Sequence, residues 1–114
     1  MTANEHANGP VLRLFQVRVR EGSADLLLEK FATTSAAVVR NEDGNQGYFF
    51  GRDVEGDDNT LVFASLWKDL ASIKRRFGDD WQKSFLPEGY EDMIEEHAIR
   101  HIDLSGGWHV PPVR

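Results

Sequence analysis

The stretch at residues 60–77, TLVFASLWKDLASIKRRF, changes its hydrophobic period in the middle. Its first eight residues, Thr60–Trp67, are apolar on both alternating sets of positions, which is typical of a strand covered on both faces. From Leu70 onward the apolar residues recur every three or four positions, as on the buried side of an amphipathic helix. Asp69 stands where an N-cap residue is preferred. The stretch therefore predicts a buried strand that leads directly into a helix.

A second strand precedes this one and pairs with it in the predicted structure. Residues 47–52 (GYFFGR) form a short aromatic segment, and residues 54–59 (VEGDDN) are rich in turn-forming types. Two strand-like segments separated by such a cluster predict a β-hairpin.

The chain opens with another strand and helix. Residues 11–19 (VLRLFQVRV) alternate, with Val11, Phe15, Val17 and Val19 on one face. After the break at residues 21–23, helical spacing predicts an amphipathic helix capped by Ser23. Its apolar stripe comprises Ala24, Leu27, Leu28, Phe31, Ser35 and Val38.

The last third of the chain has a less regular pattern. Residues 78–80 interrupt the second helix, and we expect residues 81–86 to resume it before Pro87. Residues 90–96 (YEDMIEE) are compatible with a helical turn, and residues 97–104 (HAIRHIDL) alternate as a final strand does.

The predicted order β-α-β-β-α-β is the ferredoxin-like arrangement of the α+β class, a four-stranded antiparallel sheet with both helices on one face. The domain would span residues 11–104, between a flexible N-terminal segment at 1–10 and an extended C-terminal tail at 105–114. The second face of the sheet would expose large apolar groups, which predicts a homodimer that packs sheet against sheet.

Composition limits the possible functions. The chain has 114 residues and no cysteine, which excludes disulfides, thiolate metal sites and cysteine nucleophiles. Its net charge of −6 argues against nucleic acid and anionic membranes as partners. No apolar stretch approaches the roughly 20 residues of a membrane helix, and no secretory signal is recognisable, so a cytoplasmic location is expected.

Three features of the sequence resemble the antibiotic biosynthesis monooxygenase-like families of the dimeric α/β-barrel superfamily. They are the strand, glycine turn and helix at 17–31 (VRVREGSADLLLEKF), the tryptophan-ended strand and helix at 63–77 (FASLWKDLASIKRRF), and the closing strand with spaced histidines at 97–104. In its oxygenase members, this resemblance implies oxidation of a phenolic or anthrone-type substrate without a cofactor. In those relatives the protein favours the anion of the substrate, and this anion reacts directly with dioxygen.

The resemblance and the aromatic hairpin supply candidate site residues. Trp67 matches the strand-end tryptophan that borders the substrate cavity in the family, whereas Phe63 replaces an asparagine of its best-known oxygenases. Tyr48 is a candidate hydrogen-bond donor or acid, and Phe50 a candidate stacking wall. Arg13 would need a partner if it faced the interior, and it would then anchor an anionic substrate. Ordinary packing of the sheet is the alternative interpretation for the aromatic residues.

His97 and His101 are the candidate bases, because histidine titrates near neutral pH. On a strand they would lie about 13 Å apart, too far to share a metal ion, so no metal site is predicted. The leading hypothesis is a cofactor-independent monooxygenase acting on a small aromatic compound. One alternative is a non-catalytic homodimer that binds a small hydrophobic ligand. A haem-binding or haem-degrading protein is less favoured, because the resemblance implies a histidine on a helix as the iron ligand and no histidine lies between His6 and His97.

Overall fold

The fold is built on one four-stranded antiparallel sheet, which a computed structural model describes within residues 9–107. The order across the sheet is β2-β3-β1-β4, so the predicted ferredoxin-like arrangement is confirmed. Most of the predicted N-terminal segment and C-terminal tail lies outside the described residues. The strands are β1 (Val11–Val19), β2 (Asn45–Arg52), β3 (Thr60–Trp67) and β4 (Ile94–Asp103).

The first helical region is one predicted helix interrupted by a wider turn. It consists of α1 (Ala24–Lys30), a π-helical segment (Phe31–Ser35) and α2 (Ala36–Val39). Ser23 occupies the N-cap position of α1 as predicted, but its side chain makes no capping hydrogen bond. Such π-helical insertions are frequent at functional sites, and this one ends at the buried Ser35.

The second helix, α3 (Leu70–Phe77), follows β3 as predicted. The Asp69 carboxylate accepts a hydrogen bond from the Ser72 backbone N–H at 2.8 Å, which confirms the predicted N-cap. The helix stops at Gly78, whose φ of 72° lies in the left-handed region.

The helix predicted at residues 81–86 is wrong. A short 3-10 turn, Gly78–Asp80, follows α3, and residues 81–89 form neither helix nor strand. The physical reason is that the carbonyl groups of Trp81 and Lys83 accept hydrogen bonds from the buried Arg13 side chain instead of serving a helix.

The final strand starts earlier than predicted. A single 3-10 turn covers Tyr90–Asp92, and β4 begins at Ile94, which pairs with Val19 and is buried. Burial of Ile94 against the helices therefore draws residues 94–96 into the strand, where the sequence pattern indicated a helical turn.

The two faces of the sheet differ in their cover. On the helix-facing side, Val11, Phe15, Val17 and Val19 of β1 are buried in the core as predicted. No helix or other element of the described chain covers the other face. On this face, Phe49 has 59% and Ile102 has 38% of its surface exposed to solvent. Its other large apolar members are the partly buried Leu12, Leu14, Val62 and Leu66. No helix within the described range has the length and apolar character needed to cross a membrane.

Candidate active site

Four polar side chains form a row across the helix-facing side of the sheet. In the strand register, Tyr48 pairs with Ser65, Ser65 with Arg13, and Arg13 with His101. Because directly opposed residues of antiparallel strands point to the same face, these side chains are neighbours although they come from four different strands. The next row towards the hairpin loop is apolar and comprises Phe50, Phe63, Phe15 and Ile99.

Arg13 is a buried cation at the centre of the polar row, with 5% of its surface exposed. Its Nη1 donates to the Trp81 carbonyl at 2.6 Å, and its Nη2 donates to the Lys83 carbonyl at 3.1 Å. The guanidinium carbon lies 3.8 Å from the centre of the Phe77 ring, within cation–π distance. Burial, with a contribution from Arg76, lowers the pKa of Arg13 to about 10, so the side chain stays charged at neutral pH.

His101 lies beside Arg13 and is held as a neutral imidazole. Its Nε2 is 2.9 Å from Arg13 Nη1, and its ring packs edge-on against Trp81 at a centroid distance of 5.0 Å. Burial and the Arg13 charge lower the pKa of His101 from 6.5 to about 4. Arginine only donates, so His101 Nε2 accepts the hydrogen bond and the ring proton resides on Nδ1. A base with this pKa is poorly matched to proton abstraction at neutral pH.

A cavity opens between the sheet and the helices next to Arg13. Its empty space, counted out to the open mouth, is about 410 Å³. Three polar side chains, from Arg13, Ser35 and Ser65, contribute to its wall. Most of the wall is apolar, and its aromatic members are Phe15, Phe63, Phe77 and Phe85.

The two serines in the cavity wall belong to separate hydrogen-bond networks. The Trp67 indole N–H donates to Ser65 Oγ at 2.8 Å, which leaves the Ser65 hydroxyl hydrogen as a potential donor to a ligand. Ser35 Oγ lies 2.6 Å from the Tyr90 hydroxyl, which donates to the Lys30 carbonyl at 3.2 Å. Tyr90 has a single hydroxyl hydrogen, so Ser35 is the donor in the shorter bond and retains lone pairs as acceptors. Burial raises the pKa of Tyr90, although the bond from Ser35 opposes this shift.

The structure brings some of the predicted site residues together and separates others. Arg13 and Phe63 lie in the cavity wall, whereas Trp67 is fully buried behind Ser65. Tyr48 and Phe50 stack on Phe63 at centroid distances of 5.8 and 6.1 Å, on the side of the hairpin.

His97 and His101 occupy different environments on β4. His101 lies against Arg13, but His97 is exposed and its Nδ1 is 2.9 Å from Ser84 Oγ. The described residues also contain no group of three or more His, Cys, Asp or Glu side chains placed to hold a metal ion.

Sequence reasoning missed Ser35 and Ser65 as site residues. Both carried a detectable signal, because each is a small polar residue within an otherwise apolar, interior-facing set of positions. Phe85 was hidden by the wrong helix prediction for residues 81–86, which gave no reason to place it over the sheet.

Comparison with known proteins identifies the family of this chain. The antibiotic biosynthesis monooxygenase (ABM) family profile matches residues 10–86. A search of the curated proteins finds no match. Among solved structures, a Pseudomonas aeruginosa protein has a TM-score of 0.65 and 21% identity, with 86% of this chain and 96% of that chain covered.

Two further solved structures carry descriptions of activity. SnoaB from Streptomyces nogalater, a cofactor-independent oxygenase solved as a variant, has a TM-score of 0.60 and 21% identity over 81% of this chain and 91% of its own. A haem-degrading protein from Mycobacterium tuberculosis, solved without haem, has a TM-score of 0.63 and 18% identity over 91% of this chain and 98% of its own. These likenesses show a shared fold, and the profile match shows that the chain belongs to the antibiotic biosynthesis monooxygenase family.

Proposed function

We propose that this protein is a cofactor-independent monooxygenase that oxidises a small aromatic compound of the quinol or anthrone type in the cytoplasm. One observation carries the proposal: an aromatic-walled cavity has a buried cation, Arg13, in its wall. No carboxylate of the described residues forms an ion pair or hydrogen bond with that cation. A planar substrate with a developing negative charge fits such a site, because its ring can stack on the aromatic walls and the cation stabilises its negatively charged oxygen.

The chemistry needs an electron-rich anion and dioxygen. A buried positive charge lowers the pKa of a bound phenol or enol and so favours the reactive anion. In the oxidation of an anthrone, dioxygen supplies one oxygen atom to the ring CH₂ carbon, which becomes a carbonyl. The other oxygen atom leaves as water with the two hydrogens. Membership of the ABM family and the shared fold with SnoaB support this reaction type.

The site residues have separate roles in this proposal. Arg13 and Phe63 bind the substrate, and the rings of Tyr48 and Phe50 stack on Phe63. Trp67 acts through Ser65, whose hydroxyl it orients towards the cavity. His101 orients Arg13 and takes no proton. His97 stays outside the proposal because its ring is at the surface beside Ser84.

The proposal includes a homodimer that packs through the open face of the sheet. Phe49 and Ile102 are exposed there beside several partly buried aliphatic side chains. A second copy with the same face would cover this surface through a two-fold axis.

A non-catalytic ligand-binding homodimer is the second candidate. The observation in its favour is that the described cavity wall contains no His, Asp or Glu side chain, and that the pKa of the neighbouring His101, about 4, makes it a weak base. Haem fits the described residues poorly, because His101 Nε2 is bonded to Arg13 and His97 lies outside the cavity wall.

Oxygen uptake with anthrone and 1,4-hydroquinone separates the two main candidates. We expect the protein to accelerate uptake, and we expect Arg13→Gln to lower kcat/KM by roughly 100-fold, as for loss of an oxyanion donor. Arg75→Gln is the matched control, since Arg75 is exposed and pairs with Asp43 on the surface. Binding of these compounds without uptake above the buffer rate would contradict the monooxygenase and favour the ligand-binding candidate.

A further inference from the structure

The hydrogen-bond donors of Arg13 are only partly used by the protein. A guanidinium has five N–H groups. Nη1 donates towards the Trp81 carbonyl and His101 Nε2, and Nη2 donates once, to the Lys83 carbonyl. Nε and the second hydrogen of Nη2 have no acceptor among the described residues.

One of these remaining donors, Nε, keeps some access to solvent. Within the described chain, no side-chain nitrogen or oxygen is both sealed from solvent and without a hydrogen bond. Nε of Arg13 has no hydrogen bond, so it is not sealed, and the side chain as a whole is only 5% exposed. Arg13 also belongs to the wall of the cavity.

The geometry of these donors matches one class of anion. Nε and Nη2 are neighbours on one edge of the planar guanidinium, and this edge binds a carboxylate through two parallel hydrogen bonds. Other donors of the guanidinium are engaged by two carbonyl groups and an imidazole, and its central carbon lies over the Phe77 ring. We call the Nε and Nη2 edge of Arg13 the fork. It is held in place before a ligand arrives, which reduces the entropy lost on binding.

The charge of the site favours a monoanion over a phosphate. Arg13 is the only cationic side chain in the described cavity wall. The nearby Arg76 is already engaged, with its Nε donating to the Val38 carbonyl and lying 3.3 Å from Glu42 Oε1. One guanidinium balances one carboxylate, whereas a phosphate dianion would keep an unbalanced charge among apolar walls.

We infer that the cavity binds a planar aromatic carboxylate, with its two oxygens on Nε and Nη2 of Arg13 and its ring between the Phe15 and Phe63 side of the wall and Phe77. Ser65 donates to, and Ser35 accepts from, polar substituents on the ring. The inference rests on the proposed function for the cavity as the substrate site, and it names the class of substrate. It also refines that proposal, because the carboxylate takes the place of the enolate oxygen at Arg13 and leaves Ser65 as the donor to the oxygen on the ring.

The test compares benzoate with benzamide, which share a ring and a planar head group but differ in charge. Isothermal titration calorimetry of the full-length protein at neutral pH should show benzoate binding roughly tenfold to 100-fold more tightly, as expected for hydrogen bonds to a charged group. Equal affinity, a preference for benzamide, or no saturable binding of benzoate would overturn the inference. This comparison uses the unmodified protein and does not depend on any variant folding.

Variants assign the selectivity to the fork. Arg13→Lys keeps the charge and loses the planar edge, so the preference for benzoate should fall by about tenfold. Arg75→Gln should keep the full preference, because that side chain lies outside the cavity wall. Retention of the full preference in folded Arg13→Lys would overturn the assignment to the fork. Displacement of benzoate by an equal concentration of inorganic phosphate would show a general anion site and overturn the carboxylate class.

The carboxylate inference and the monooxygenase proposal can be contradicted independently of each other. Selective binding of benzoate together with no oxygen uptake from any aromatic compound would remove the proposed monooxygenase and leave the carboxylate site standing. Oxygen uptake from quinols together with no preference for benzoate would do the reverse.

Discussion

Nη1 of Arg13 lies 2.9 Å from Nε2 of His101 across two neighbouring strands, and a buried cation and a neutral imidazole share this contact. The two residues are 88 positions apart in the chain. Their contact links the electrostatics of the cavity to the last strand, because protonation of His101 would place two positive charges side by side. The pair therefore favours a role for His101 in holding Arg13 rather than in moving protons.

The stability of the protein should depend on pH through His101. The folded-state pKa of about 4 is below the ordinary value of 6.5, so the unfolded chain binds more protons between these values. The free energy of unfolding should therefore fall as the pH is lowered from 6.5 to 4, by about 1–2 kcal/mol after allowance for partial exposure of the ring. Urea denaturation at several pH values measures this loss.

The variant His101→Gln should lack that part of the pH dependence, because its amide oxygen still accepts from Arg13 but does not titrate. His97→Gln is the matched control on the same strand. An identical pH dependence in His101→Gln and the unmodified protein would contradict the assignment.

The hydrogen bond from Trp67 to Ser65 should contribute to stability as well as to the site. Trp67 is fully buried, so Ser65→Ala leaves its indole N–H without an acceptor and should cost about 1–3 kcal/mol. In a Trp67→Phe background the same serine change should cost less, since no indole N–H remains. A double-mutant cycle in urea measures the coupling, and a coupling of zero would contradict the role of this bond.

Gly44 should be the less replaceable of two glycines with positive φ. Gly22 (φ 86°) and Gly44 (φ 89°) both lie in the left-handed region, where alanine costs about 1–2 kcal/mol. A Cβ on Gly22 would meet nothing within 4 Å, but a Cβ on Gly44 would lie 2.5 Å from Cβ of the buried Ser72. We expect Gly44→Ala to cost about 1–3 kcal/mol more than Gly22→Ala, as for an overpacked site. Equal losses in thermal or urea unfolding would contradict the clash.

The open face of the sheet should determine the oligomeric state. Leu14 lies between Ala64 and Arg100 at the middle of this face. Leu14→Lys would bury a charge in the proposed interface and should weaken the dimer by at least about 100-fold. Sedimentation velocity at micromolar concentration measures this, and Leu26→Lys on the exposed side of α1 is the control. A monomer for the unmodified protein would contradict the dimer.

The sequence pattern was sufficient where burial follows a regular period. Alternation in β1 predicted the buried set Val11, Phe15, Val17 and Val19, and the change of period after Trp67 predicted α3 and its Asp69 cap. The pattern failed at residues 81–86, because local helical preference competes there with the need of Arg13 for carbonyl acceptors. It also gave no sign of the π-helical segment that ends at Ser35.

By itself, the sequence determined the order of the elements, the buried set of β1 and the absence of thiol chemistry, since period and composition are local properties of a chain. Only the tertiary structure decided that Arg13 lies buried without a carboxylate partner in the described chain, that His101 is its neutral neighbour, and that Ser65 separates Trp67 from the cavity. The physical reason is strand register. A hydrogen-bonded row across four strands sets which distant residues meet, and burial then changes their charge states.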